Sequence, residues 1–243
     1  VVVLQQSALV RLRDNSSLSA LWLPFFEDDP RRTSALLGGA WDGSAWTQID
    51  SLVRPARSNR LGFPDLIDAG VSNDLDIVAI LRWFEAERSS DALVRTSKRG
   101  WSVSSAALPF SPRLALVTRD SNRLVGVGIR PSPLGGATIA VWISSDGGRS
   151  WGNPTPIEAA TVANVQPPHL VNVAGDTLVA AWAASAAEST DSVREIHAAI
   201  SVDGGVSWRS VQPFRLDHEV WGIDLTSDRR GRVAIAVSRA AFA

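Results

Sequence analysis

Ser144-Ser145-Asp146-Gly147-Gly148-Arg149-Ser150-Trp151 and Ser201-Val202-Asp203-Gly204-Gly205-Val206-Ser207-Trp208 agree at Ser, Asp, both Gly, Ser and Trp, 57 residues apart. A shortened copy, Thr96-Ser97-Lys98-Arg99-Gly100-Trp101, precedes the first, and a more degraded one, Trp41-Asp42-Gly43-Ser44-Ala45-Trp46, lies further upstream. Self-similarity at a period of about 50 residues is the mark of a modular array. The residue types suit a tight turn. Asp and Ser side chains accept backbone N–H bonds within a few residues, Gly tolerates positive φ, and Trp covers the base of a hairpin with a large apolar ring.

A second series runs in phase with the first. Apolar or alternating runs follow polar turns at Leu18–Phe26, Leu75–Phe84, Leu124–Ile129, Thr177–Ala184 and Val233–Ser238. Each turn is preceded by another short strand: Leu9–Arg13, Leu66–Val71, Leu114–Thr118, Leu170–Val173 and Ile223–Leu225. Short strands bounded by Asp, Asn, Gly and Ser are hairpin signals. Each unit reads as strand A, tight turn, strand B, longer loop, strand C, Asp-Gly-Gly turn, strand D. No stretch shows a helical stripe. Four-stranded units repeated in this way describe an all-β propeller. Residues 1–243 read as one propeller domain with five A–B hairpins and four C–D hairpins. The first reading is therefore five blades, the last closed by the strand-like run Val1–Gln5. A larger propeller, partly missing, is the alternative.

Composition removes several classes of function. The chain has no Cys, Met or Tyr, and 24 basic residues stand against 25 acidic ones. Disulfides, thiolate metal sites and cysteine nucleophiles are excluded, and there is no electrostatic case for nucleic acid. The longest uncharged apolar stretch, Leu178–Ala187, is half of the ~20 residues a spanning helix needs. With neither a signal peptide nor an initiator Met, the sequence reads as a processed or trimmed chain. His169, His197 and His218 match no local metal-ligand spacing, and no cofactor or metal is expected.

The Ser-x-Asp-x-Gly-x-x-Trp pattern resembles the Asp-box, or BNR repeat, of sialidase-like propellers, and is similar to the repeats of photosystem II assembly-factor propellers. The resemblance implies a structural turn built from Ser144, Asp146, Gly148 and Trp151, and again from Ser201, Asp203, Gly205 and Trp208. Sialidases also carry a Tyr nucleophile, an Asp acid/base, three carboxylate-binding arginines and an Arg-Ile-Pro motif. This chain has no Tyr and no Arg-Ile-Pro; Val53-Arg54-Pro55 and Ile129-Arg130-Pro131 are poor substitutes. Sialidase catalysis is therefore not expected of a chain complete in these residues, and no catalytic residue is assigned.

Other glycosidases need only two carboxylates. In related enzymes the rim carrying the B–C and D–A loops holds the site. Here that rim carries Glu27, Asp28, Asp29, Arg31, Arg32, Arg54, Arg57, Arg60, Arg113, His169, Arg215, Asp217, His218 and Glu219. Of the ten Trp, seven fall at turn or B-strand positions, leaving Trp41, Trp142 and Trp221 less constrained. The compact loops and missing Tyr lead to the expectation of a non-catalytic propeller. It would serve as a protein-interaction, accessory or assembly subunit of an extracytoplasmic, membrane-associated bacterial complex. Arg54, Arg57 and Arg60 would meet an acidic protein partner. A glycan-active hydrolase of the same superfamily, working without Tyr, is the alternative.

Overall fold

The computed structural model describes the backbone of residues 2–11, 18–26, 36–41, 46–53, 64–71, 77–85, 88–97, 100–103, 111–118, 123–131, 136–157, 164–185, 192–228 and 230–239, and the side chains of those from 123 onward except 131. Every element among them is a β-strand. The first sheet is β1 (Val2–Arg11), β2 (Leu18–Phe26), β3 (Leu36–Trp41) and β4 (Trp46–Val53). The second is β5 (Pro64–Val71), β6 (Ile77–Glu85), β7 (Arg88–Ser97) and β8 (Gly100–Val103). The third is β9 (Ser111–Thr118), β10 (Leu124–Pro131), β11 (Ala137–Ser144) and β12 (Thr155–Pro156). The fourth is β13 (His169–Ala174), β14 (Thr177–Ala184), β15 (Glu195–Ser201) and β16 (Arg209–Arg215), and a fifth holds β17 (Val220–Ser227) and β18 (Val233–Arg239). Within each sheet the spatial order follows the chain, so the first four are antiparallel meanders and the fifth is an antiparallel hairpin. Two compact units divide them: Val1–Leu108 with the first two sheets, and Pro109–Ala243 with the other three.

One expectation is corrected. Val1–Gln5 was read as a separate strand closing the last blade. Instead Val2–Arg11 is one strand, pairing Val2 with Phe26 and Arg11 with Leu18 across β2. The reason is local. The apolar pattern on either side of Gln5-Gln6 is continuous once a bulge between Leu4 and Gln6 absorbs the extra residue.

In the second unit the core explains the B-strand composition. Leu178, Ala180, Trp182 and Ala184 of β14 pack toward the third sheet with Val125, Val127, Ile139 and Val141. Their alternates Val179, Ala181 and Ala183 pack with Val220, Ile223 and Leu225 of β17. A strand buried on both faces reads as a continuous apolar run, not as an alternation. Its alanines let neighbouring sheets approach closely. Trp182 is wholly buried, and Trp142, less constrained by sequence, is buried on β11.

The turns after β11 and β15 are built alike. Ser201 Oγ accepts from the Gly205 N–H at 2.8 Å and donates to Asp203 Oδ1 at 2.8 Å. Asp203 in turn accepts from the Ser207 N–H at 2.9 Å and from the Ser207 hydroxyl. Ser144, Asp146, Gly148 and Ser150 repeat the set, with Gly148 N–H to Ser144 Oγ at 2.7 Å. Trp208 Nε1 donates to the Gly205 carbonyl at 3.0 Å while its half-buried ring leans on the core. The hydroxyl and the backbone N–H of Ser150 hold the Asp146 carboxyl well below the ordinary carboxylate range, and those of Ser207 hold the Asp203 carboxyl at about 2, with the Ser144 and Ser201 hydroxyls adding to the effect.

The second turn also joins sheets. Gly204 N–H donates to the Asp176 carbonyl at 2.9 Å, so the β13–β14 and β15–β16 turns share one end of the fourth sheet. Arg123, entering β10, donates from Nη2 to the Gly204 carbonyl at 3.3 Å.

Candidate functional site

The opposite end of the fourth and fifth sheets carries the chemistry. Chain direction places the start of β13, the end of β14, the start of β15, the end of β16 and the start of β17 together there. Gln166, in the segment leading into β13, ties this end together. Its backbone N–H donates to the Ala183 carbonyl at 2.8 Å, and its Nε2 donates to the Val220 carbonyl at 2.8 Å.

Three groups of side chains stand on or near this end. His169 Nδ1, on the first residue of β13, lies 3.6 Å from Asp224 Oδ1 on β17. Asp224 is 83% exposed although it sits in mid-strand between buried Ile223 and Leu225. Its side chain therefore stands on the open face of β17. Next, Asp217 and His218 are hydrogen-bonded neighbours in the β16–β17 connection. The His218 ring is the main cause that holds the Asp217 carboxyl below its usual range. Finally, His197 is stacked on Trp182 with ring centroids 5.6 Å apart, and its Nε2 lies 3.4 Å from Glu195 Oε2. This last pair belongs to the sheet interior, since His197 is buried.

Of the rim residues named from sequence, His169, Arg215, Asp217, His218 and Glu219 fall among the described side chains. Arg215, Asp217, His218 and Glu219 form one short run, whereas His169 meets Asp224. Sequence reasoning missed Asp224. The signal available was an Asp inside an otherwise apolar strand, where that residue type is depleted. Arg54, Arg57 and Arg60, together with Glu27, Asp28, Asp29, Arg31 and Arg32, lie outside the described residues, and Arg113 is described as backbone in β9 only. Trp221, beside the bulge between Val220 and Gly222, is 66% exposed.

Exposed carboxylates, an imidazole and an exposed indole at one end of stacked sheets can serve proton transfer and sugar stacking. Among the described residues no three His, Asp or Glu side chains converge as a metal site. Among them also, no helix is long and apolar enough to cross a membrane.

No protein-family model and no curated protein matches the chain. Solved structures do. A protein of unknown function from Dyadobacter fermentans superposes with a TM-score of 0.63 at 13% identity, over 97% of this chain and 75% of its own. The endo-arabinase of Bacteroides thetaiotaomicron gives 0.54 at 11% identity, over 98% of this chain and 94% of its own. The α-L-arabinanase of Penicillium chrysogenum gives 0.55 at 10% identity, over 86% of this chain and 66% of its own. An α-L-arabinofuranosidase, an ulvan lyase and a sialidase are also similar.

These likenesses correct the expectation of a purely accessory, non-catalytic subunit: the neighbours with a stated activity are carbohydrate-cleaving enzymes. The missing Tyr does not by itself exclude catalysis. It removes one nucleophile, while cleavage of a glycosidic bond by paired carboxylates needs no phenol. What the chain shares with these proteins is an all-β fold of several small antiparallel sheets.

Proposed function

We propose that the chain is a glycan-active hydrolase that cleaves a neutral polysaccharide without a tyrosine nucleophile. The observation that carries this reading is the likeness of nearly the whole chain to arabinan-cleaving folds. Neutrality of the substrate follows from the absent phenol. A carboxylate attacking a centre that already bears a carboxylate meets like-charge repulsion, which a neutral sugar does not impose. Asp224 is the carboxylate on which this reading rests, with His169 orienting it; Asp217 or Glu219 supplies the second. Trp221 offers a ring face to the sugar.

In the same reading residues 1–243 form one five-bladed propeller domain, for which five consecutive sheets at a regular spacing are the support. The two Ser-Asp-Gly-Trp turns, with Ser144, Asp146, Gly148, Trp151, Ser201, Asp203, Gly205 and Trp208, are structural, because their bonds close within the turn or on the neighbouring sheet. A polymeric substrate places the protein outside the cytoplasm.

The test is release of reducing ends from debranched arabinan, with ulvan and a fluorogenic sialoside alongside. Turnover of arabinan, lost in Asp224→Asn with folding retained, is expected. Absence of turnover on every neutral polysaccharide offered, or full activity in Asp224→Asn, refutes the reading. Unsaturated products from ulvan would replace hydrolysis by elimination.

A further inference from the structure

We propose that Gln166 is a positioning residue: it fixes β17 against β13 and so holds His169 at Asp224. The inference rests on the proposed role of Asp224 and extends it to the side chain that keeps the pair assembled.

β13 and β17 belong to different sheets, so no backbone ladder joins them. Val171 and Val173 of β13 share one apolar cluster with Val220, Ile223 and Leu225 of β17. Hydrophobic contact is non-directional, and by itself it leaves two such strands free to slide. Two side chains remove that freedom by bonding to backbone carbonyls, where the geometry is directional. Gln166 Nε2 donates to the Val220 carbonyl at 2.8 Å, and Ser227 Oγ donates to the Asn172 carbonyl at 2.7 Å. His169 falls midway between Gln166 and Asn172 in sequence, and Asp224 falls between Val220 and Ser227. The pair therefore stands between the two ties. With one tie lost, β17 can pivot about the other.

Local sequence stiffens the path from Gln166 to His169. Only Pro167 and Pro168 separate them. Each proline fixes its own φ at ~−65° and restricts the residue before it to extended backbone. Pro168 is buried, and the Gln166 N–H is held by the Ala183 carbonyl at 2.8 Å. Gln166 is thus anchored through main chain and side chain together. A displacement there is carried to His169 instead of being absorbed by the connection.

Gln166→Met keeps the length of the side chain and removes the donor. The chain has three His, so imidazole Cε1–Hε1 signals are few in an NMR spectrum, and that of His169 is assigned by its loss in His169→Gln. At one fixed pH, Asp224→Asn should move the His169 signal in the parent chain. In the Gln166→Met background the same change should move it less than about half as far, as a double-mutant cycle reads coupling. Ser201→Ala, which removes a buried acceptor at the far end of the fourth sheet, should lower stability and leave the response whole. On debranched arabinan, Gln166→Met should lower kcat about tenfold or more with KM changed less than about twofold, because misplacing a reacting group by ~1 Å costs up to ~100-fold. Should Gln166→Met fail to fold, Gln166→Asn keeps the amide, shortens its reach by one methylene and carries the same expectations. A full His169 response in the Gln166 variants overturns the proposal. So does no response to Asp224→Asn in the parent chain, an equal loss of response in Ser201→Ala, or a raised KM with kcat unchanged. Where no polysaccharide is turned over, the hydrolase reading fails by itself, and the His169 signal still decides whether Gln166 holds the pair.

Discussion

Gly205→Ala and Gly175→Ala form a pair in which both backbones have positive φ, while only the first is sterically enclosed and lies outside the left-handed well open to other residues. Gly205 has φ +92° and Gly175 has φ +52°, both unfavourable for a residue with a Cβ. At Gly175 an added Cβ meets nothing within 4 Å. At Gly205 it would stand 2.9 Å from Val125 Cγ1 and 3.5 Å from Leu178 Cδ1. Val125 cannot swing aside: it is a buried, β-branched residue in the middle of the third sheet. Left-handed backbone costs ~1–2 kcal/mol, and the stiffer unfolded chain returns ~0.4–1 kcal/mol. Gly175→Ala should therefore lose about 0.5–1.5 kcal/mol. Overpacking adds ~1–3 kcal/mol at Gly205, for a loss of about 2–4 kcal/mol. Urea unfolding followed by circular dichroism measures both, with an unchanged slope on denaturant as the sign that stability alone has moved. Equal losses within about 0.5 kcal/mol would refute the claim that this turn is wedged between the third and fourth sheets.

Other consequences follow from the same turns and core. Ser201→Ala removes the buried acceptor of the Gly205 N–H and should cost ~1–3 kcal/mol, read as a lower urea midpoint. Asp203 has its carboxyl held at about 2, below the ~3.9 of an unfolded chain. Its contribution is thus complete above about pH 4 and lost as pH falls through 2. The melting temperature should drop over that window, and Asp203→Asn should flatten the drop; an unchanged profile would contradict the hydrogen bonds described. Trp182→Ala, at a wholly buried ring, should cost ~3–5 kcal/mol. Trp208→Ala should cost less, because its ring is half-buried, and the reverse order in urea would contradict the core.

Much of the architecture was legible because its determinants are local. In each Ser-x-Asp-Gly-Gly-x-Ser-Trp turn, the Ser and Asp hydrogen bonds close within four residues, so residue types at fixed offsets reveal them. Leu18–Phe26 and Thr177–Ala184 were read with the bounds the strands have. Leu9–Arg13 was not: the sequence shows where a polar turn begins, but a bulge lets pairing run back to Val2. The candidate site was only half legible. His169 and the run Arg215–Glu219 were found from loop position, whereas Asp224 carries no motif.

By itself the sequence determined the period, the antiparallel hairpins and the turn chemistry, all set by short-range sterics and hydrogen bonding. It also shows that these 243 residues supply no phenol and no thiol. The tertiary structure alone decided which residues of successive repeats meet. His169 faces Asp224, Gln166 reaches Val220, and Ser227 reaches Asn172, each across about one repeat of chain. Sequence periodicity marks such residues as equivalent. Their contact depends on how closely whole sheets stack, and that spacing is set by the summed volumes of many side chains, from the alanines of β14 to the valines of β10, which no short motif records.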